Sequence, residues 1–212
     1  MKNTERTETR KNDILDVAEN LFIEKGYEHT TINDILNASG IAKGSLYYHY
    51  KSKEDVLDGI IKRRGDANIE AASRIAKIDK LDARAKLLQV LSSQQPSDER
   101  QRQLTADFEK SSNGQMFLKS LTDIILRLAP VLQGIVEQGI SEGIFKTPYP
   151  LESVEILLTA AHALFDNGEL SWTPEEQAQK MTAFILVTER TLGAKEGSLS
   201  ELAQIIMTDG GE

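Results

Sequence analysis

Apolar residues recur at intervals of three and four along most of the chain, and no segment alternates with period two. From Lys11 to Lys25, the residues Ile14, Val17, Ala18, Leu21 and Phe22 fall on one helical face. Lys25 in the last turn and Gly26 after it close that helix. Thr31–Ala38 reads as a second helix, with Thr31 as N-cap, Asp34 three positions on, and Gly40 as the stop. A third, short helix is predicted over Ala42–Tyr50, and a fourth starts at Ser52 with Asp55 three positions later. Farther on, Leu81–Leu91 is amphipathic, and Ser92–Asp98 is a break containing Pro96. Phe117–Gly143 is a long apolar-rich run whose Pro130 predicts a kink or junction. Leu151–Phe165 is strongly apolar. Trp172-Thr173-Pro174-Glu175-Glu176 starts a helix that reaches Leu192 and Gly193. A short tail helix is expected near Ser198–Met207. The chain reads as all-α, with a small N-terminal helix-turn-helix unit of three helices and a larger helical body.

Charge changes that picture in one place. The 212 residues carry a net charge of −8, but residues 1–65 hold 11 basic and 11 acidic residues and are neutral. The whole acidic excess lies after them. Between Ile35 and Lys53 there are three lysines and no acid. A local basic face on an acidic protein is compatible with a DNA-binding end. There is no cysteine, which excludes disulfides, thiolate metal sites and cysteine nucleophiles. The polar N-terminus is not a secretory signal, and no apolar stretch approaches the ~18 residues of a membrane span. A soluble, cytoplasmic protein is expected.

The two short helices at Thr31–Ala38 and Ala42–Tyr50 are joined through Ser39-Gly40-Ile41, the spacing of a helix-turn-helix. Ile41 and Leu46 would point back at the first two helices. Lys43, Gly44, Ser45, Tyr47, Tyr48 and His49 would then face outward. Lys43 can donate to guanine O6 and N7. Gly44 lets the helix approach the bases, and Ser45 can reach a base edge or a phosphate. Tyr47, Tyr48 and His49 offer donors to phosphates. Thr31 and Lys53, each at a helix start, are expected to meet phosphates too.

The run from Ile14 to Leu57, with "LF..KGY..TT..DI...SGI.KGSLY.HY.SKE" as its spaced pattern, resembles the DNA-binding domain of the TetR family of transcriptional regulators. "AKGSLYYHYKSKE" is similar to the multidrug-sensing branch of that family. The resemblance implies residues 1–55 as the DNA-binding domain, a linking helix over 53–65, and residues 56–212 as a ligand-binding and dimerisation domain. It implies a homodimer on a palindromic DNA operator, with reading heads one helical turn, roughly 34–36 Å, apart. It also implies an unidentified small-molecule effector and a repressor's role. The subunit contact would come from Val154, Leu157, Leu158, Ala161 and Phe165 with Met181, Phe184, Ile185 and Thr188. Two positions depart from the pattern. Ala42 stands where relatives carry Ser or Thr, so the recognition helix must have its N–H groups met by a phosphate or by Ser39. Tyr50 stands where Phe is common, its ring expected in the core with the hydroxyl at the surface.

Other features carry less. Phe108, Met116, Phe117 and Trp172 line a ligand pocket or are plain core. His29 has no assigned role, and His162 reads as a core or interface histidine. Three scattered histidines without cysteine predict no metal site and no cofactor. Glu175 and Glu176 are cap residues, and Glu137 and Glu142 have no partner suited to acid–base chemistry, so no enzyme is expected. The rival readings are a transcriptional activator or ligand-independent regulator, a nucleoid factor, and an all-α ligand-binding module or enzyme.

Overall fold

The structure, a computed structural model, describes residues 2–95, 114–165, 170 and 172–207. Among them every regular element is helical: α1 (Lys2–Lys25), α2 (Ile32–Ser39), α3 (Lys43–His49), α4 (Lys53–Ala76), α5 (Ala83–Ser93), α6 (Gly114–Asp123), α7 (Ala129–Ser141), α8 (Pro150–Phe165), α9 (Pro174–Leu192) and α10 (Leu202–Met207). α1 starts at Lys2 rather than Lys11, because the polar residues before Lys11 add no periodic apolar position for the pattern to register.

Local chemistry sets the ends. Thr31 and Thr173 each form a reciprocal capping box, with Asp34 and Glu176 respectively. Ser52 accepts from the Asp55 N–H, and Asp82 from that of Ala85. Gly193 ends α9 at φ 63°, where a Cβ would lie 2.2 Å from the Lys146 carbonyl oxygen. The chain segment entering α8 thus packs directly on the end of α9. The expected junction at Pro130 is a π turn over Ile124–Leu128 between α6 and α7, in which the Ala129 N–H bonds back to the Ile124 carbonyl. Proline has no N–H to continue the ordinary ladder, and the widened turn sits directly before it.

Two apolar cores form. The head core gathers Ile14, Leu15, Ala18 and Phe22 of α1 with Tyr27, Ile35, Leu46, Tyr50 and α4's Val56, Leu57 and Ile60. The body core joins Ala72 of α4 to α5, α7, α8, α9 and the segment around Leu199 and Leu202. α4 is therefore shared. Its first half belongs to the head, its last turns to the body, and the stretch between is Lys62-Arg63-Arg64-Gly65-Asp66-Ala67-Asn68. Buried Lys86 fixes the far end, its ammonium donating to the Ala76 carbonyl and to Gln138, each at 2.8 Å.

The residues of the expected subunit stripe divide by burial. Val154, Leu157, Met181, Phe184 and Thr188 are buried inside the chain's own body core. Leu158, Ala161, Phe165 and Ile185 are half-buried against that core, and Phe165 meets Phe184 edge to face at 5.6 Å. A helix apolar on two sides spends one side on its own subunit. Among the described residues, the large apolar side chains that α8 and α9 leave exposed are Ile156, at 64%, and Val187, at 54%.

Candidate nucleic-acid interface

The turn between α2 and α3 rests on Gly40, at φ 63°, whose N–H bonds to the Leu36 carbonyl. Ile41 packs on the head core and Leu46 is fully buried in it, which fixes how α3 crosses α2. The opposite face of α3 is open. Lys43 and Gly44 are exposed, Ser45 and His49 are half-exposed, and Tyr47 and Tyr48 are 42% and 80% exposed. The Tyr48 and His49 rings stand edge to face at 5.0 Å, and the Lys43 ammonium lies 5.8 Å from the Tyr47 ring centre. Six of the predicted contact residues thus share one projecting helix. Exposed Lys51 adds a cation just beyond it that is absent from the predicted set, though its place between Tyr50 and Ser52 signals it.

Ala42 makes no side-chain cap to α3, and the Ser39 hydroxyl turns back to the Leu36 carbonyl at 3.3 Å. The first-turn N–H groups of α3 therefore receive no hydroxyl from either residue. Tyr50 differs from expectation. Its ring is core, as predicted, but its hydroxyl is buried as well, beside Gly59 of α4.

Two predicted phosphate contacts already have partners within the chain. Thr31 gives both its backbone N–H, at 2.9 Å, and its hydroxyl, at 2.6 Å, to the Asp34 carboxylate. Asp34 pairs in turn with Lys25 at 3.0 Å. Those bonds, with Thr31 first, hold the Asp34 carboxyl down at about 2. Thr31 itself is exposed, and its two protons are engaged by that carboxylate. Lys53 donates to the Tyr27 carbonyl at 2.7 Å and lies 4.1 Å from the centre of the Tyr27 ring.

Of the expected pocket residues, Phe108 and the side chains of Met116 and Phe117 lie outside the described residues. Trp172 is half-buried and anchored, its indole N–H on the Leu164 carbonyl at 3.2 Å and the Lys180 ammonium 3.8 Å from its ring centre. An open cleft of about 490 Å³ lies elsewhere, lined by Asp58, Ile61, Lys62, Asp66, Lys119, Asp123 and Arg127. Among the described residues no cluster of metal-ligating side chains forms, and no helix is long and apolar enough to cross a membrane.

Known proteins match this arrangement. A family model for bacterial regulatory proteins of the tetR family covers residues 14–60, and one for the tetracyclin repressor-like C-terminal domain covers residues 97–187. The HTH-type transcriptional repressor KstR2 of Rhodococcus jostii is 28% identical over 68% of this chain and 71% of its own. The fatty acid metabolism regulator protein of Bacillus subtilis is 25% identical over 80% and 87%. The fold is shared with the repressor SmeT of Stenotrophomonas maltophilia in complex with triclosan, at TM-score 0.61 and 21% identity, over 90% of this chain and 94% of that one. With a helix-turn-helix head matching one family model and a helical body matching its companion, the chain belongs to the tetR family and is a DNA-binding transcriptional regulator.

Proposed function

We propose that this regulator is a homodimeric repressor that holds a palindromic operator and is released when a small molecule binds its helical body. The observation that carries the reading is α3. Its buried Leu46 anchors it, while Lys43, Gly44, Ser45, Tyr47, Tyr48 and His49 project together with no acid among them. Lys43 and Ser45 read base edges, and the aromatic flank and uncapped N–H groups meet phosphates. Relatives named as repressors support the sign of regulation. A neighbour solved with triclosan supports a ligand-receiving body.

α4 supports the coupling, because it is the helix that both cores share. Its polar waist is tied on both sides. Toward the head, Arg63 reaches Asp16 and Glu19, and Arg64 reaches Glu19, all at 2.6 Å. Toward the body, Asp58 meets Lys119 and Asp66 meets Arg127, both at 2.6 Å. Lys62 and then Arg127 hold the Asp66 carboxyl below its ordinary range. A ligand favouring another seating of α6 and the π turn against this waist moves the heads off their spacing and lowers operator affinity. Subunits would meet through the outer faces of α8 and α9, around Ile156 and Val187.

The test begins with selection of duplexes from a random library. Wild type should enrich one palindrome and Lys43→Ala should lose it. Enrichment of no sequence, or of the same palindrome by Lys43→Ala with equal affinity, removes α3 as the reading element. Ligand release is then tested by screening compounds for loss of anisotropy on that palindrome.

A further inference from the structure

We infer that Asp58, Asp66, Lys119 and Arg127 are positioning residues for operator binding, a charge latch that fixes the direction of the head-bearing helix α4 on the body. The inference rests on the operator reading above and assigns the seating of the heads to named side chains.

The latch is built from two columns of alternating charge. α4 carries Asp58, Lys62 and Asp66 at steps of four, and α6 with the π turn carries Lys119, Asp123 and Arg127 at the same steps. The signs are opposite at every level. Asp58 meets Lys119 and Asp66 meets Arg127, each at 2.6 Å and each pair 61 residues apart. Equal separation at both rungs means that the columns run side by side, in one direction and in register. The middle residues brace the ends. Lys62 donates to Asp66 at 2.8 Å, and Arg127 donates also to Asp123 at 3.2 Å. Asp66 and Arg127 are therefore each bonded both along their own helix and across to the other.

Two features of the backbone allow this fit. In a straight α-helix the eighth residue on lies about 80° around from the first. The wider turn over Ile124–Leu128 takes up part of that drift and keeps Arg127 near the face of Lys119. On α4, Gly65 leaves the room, since a Cβ there would lie 2.5 Å from Asp123 Oδ2 and 3.0 Å from Arg127 Nη1. The six charged side chains and Ile61 line the open cleft. These ion pairs are partly exposed, so they add little to overall stability. Their effect is on direction. The outer rungs lie about 12 Å apart along α4, and two fixed points resist rocking. The first half of α4 belongs to the head core, so a tilt at the waist carries α3 with it. Two heads that must meet one operator together bind best when their direction is set before contact.

The test measures affinity for the selected palindrome in Asp66→Asn, Arg127→Gln and the double variant. Bulk charge alone predicts opposite signs, because losing a carboxylate tightens DNA binding and losing a guanidinium weakens it. The latch predicts that each single change weakens binding by about tenfold, and that the double variant binds no more weakly than the singles. Thermal midpoints should stay near wild type. Opposite signs, or wild-type affinity in either single variant, overturn the inference. The chain has no cysteine, so spin labels at Glu28→Cys in the head and Glu196→Cys in the body report one distance within a chain diluted by unlabelled protein. The latch predicts that this distance shifts or broadens in Arg127→Gln, and an unchanged distribution refutes it. Should Arg127→Gln fail to fold, Lys119→Gln at the other rung carries the same predictions. If wild type selects no palindrome, the operator reading fails on its own, and the label distances still decide whether the latch sets the head.

Discussion

Lys43 and Lys53 carry the same charge and flank the same aromatic run, yet one is exposed on α3 and the other is folded onto Tyr27. Lys43→Ala should weaken specific binding by about 1–3 kcal/mol and leave the thermal midpoint near wild type. Anisotropy beside a melting curve checks this, and a large drop in midpoint would mean that Lys43 supports the fold. Asp34 gives a pH prediction. Its folded value of about 2 lies below its ordinary one near 3.8, so ionised Asp34 favours the folded state. That contribution is complete above roughly pH 4 and is lost as pH falls toward about 2. Asp34→Asn should flatten the acid limb of the stability–pH curve over that window. Parallel acid limbs would show that the ionised cap adds nothing. The caps at Thr31, Ser52 and Thr173 were legible in the sequence because cap and partner lie within one helical turn. The bond from Lys53 to the Tyr27 carbonyl was not, because Tyr27 lies in a different loop.

At the scale of the element, α4 holds two glycines that look alike in sequence and differ in their surroundings. A Cβ on Gly59 would lie 2.9 Å from Tyr50 Cε1 and 3.0 Å from Leu15 Cδ2, both in the head core. A Cβ on Gly65 would lie 2.5 Å from Asp123 Oδ2 and 3.0 Å from Arg127 Nη1, the ends of flexible side chains. Alanine favours a helix by about 0.8–1.0 kcal/mol over glycine, which partly offsets strain at either site. Gly59→Ala should still destabilise, since overpacking a core costs about 1–3 kcal/mol. Gly65→Ala should leave stability near wild type while displacing Asp123 and Arg127 from the waist. Urea denaturation of both variants separates them, and equal midpoints would contradict the contrast. The π turn obeys the same logic. Pro130 announced an interruption, but not its form, a π turn over Ile124–Leu128 whose Arg127 pairs with Asp66 of α4.

At the scale of the molecule, burial separates residues of α8 and α9 that serve the chain's own core from those open to a partner. Val187→Glu should yield a folded monomer, read by sedimentation, because Val187 stands outside the core. Leu157→Glu should unfold the body, because Leu157 is buried within it and a lone carboxylate there has no partner. A Val187→Glu protein that stays dimeric moves the interface off this face of α9.

The chain's all-α character, its caps, the helix-turn-helix spacing and the acid-free face of α3 come from the sequence, because each depends on residues a few positions apart. The tertiary structure decided which apolar face of α8 meets its own subunit. It also put the head–body boundary inside α4 and buried the Tyr50 hydroxyl by Gly59. Those outcomes depend on contacts between residues far apart along the chain. Periodicity marks an apolar stripe as needing cover, but only packing determines what covers it.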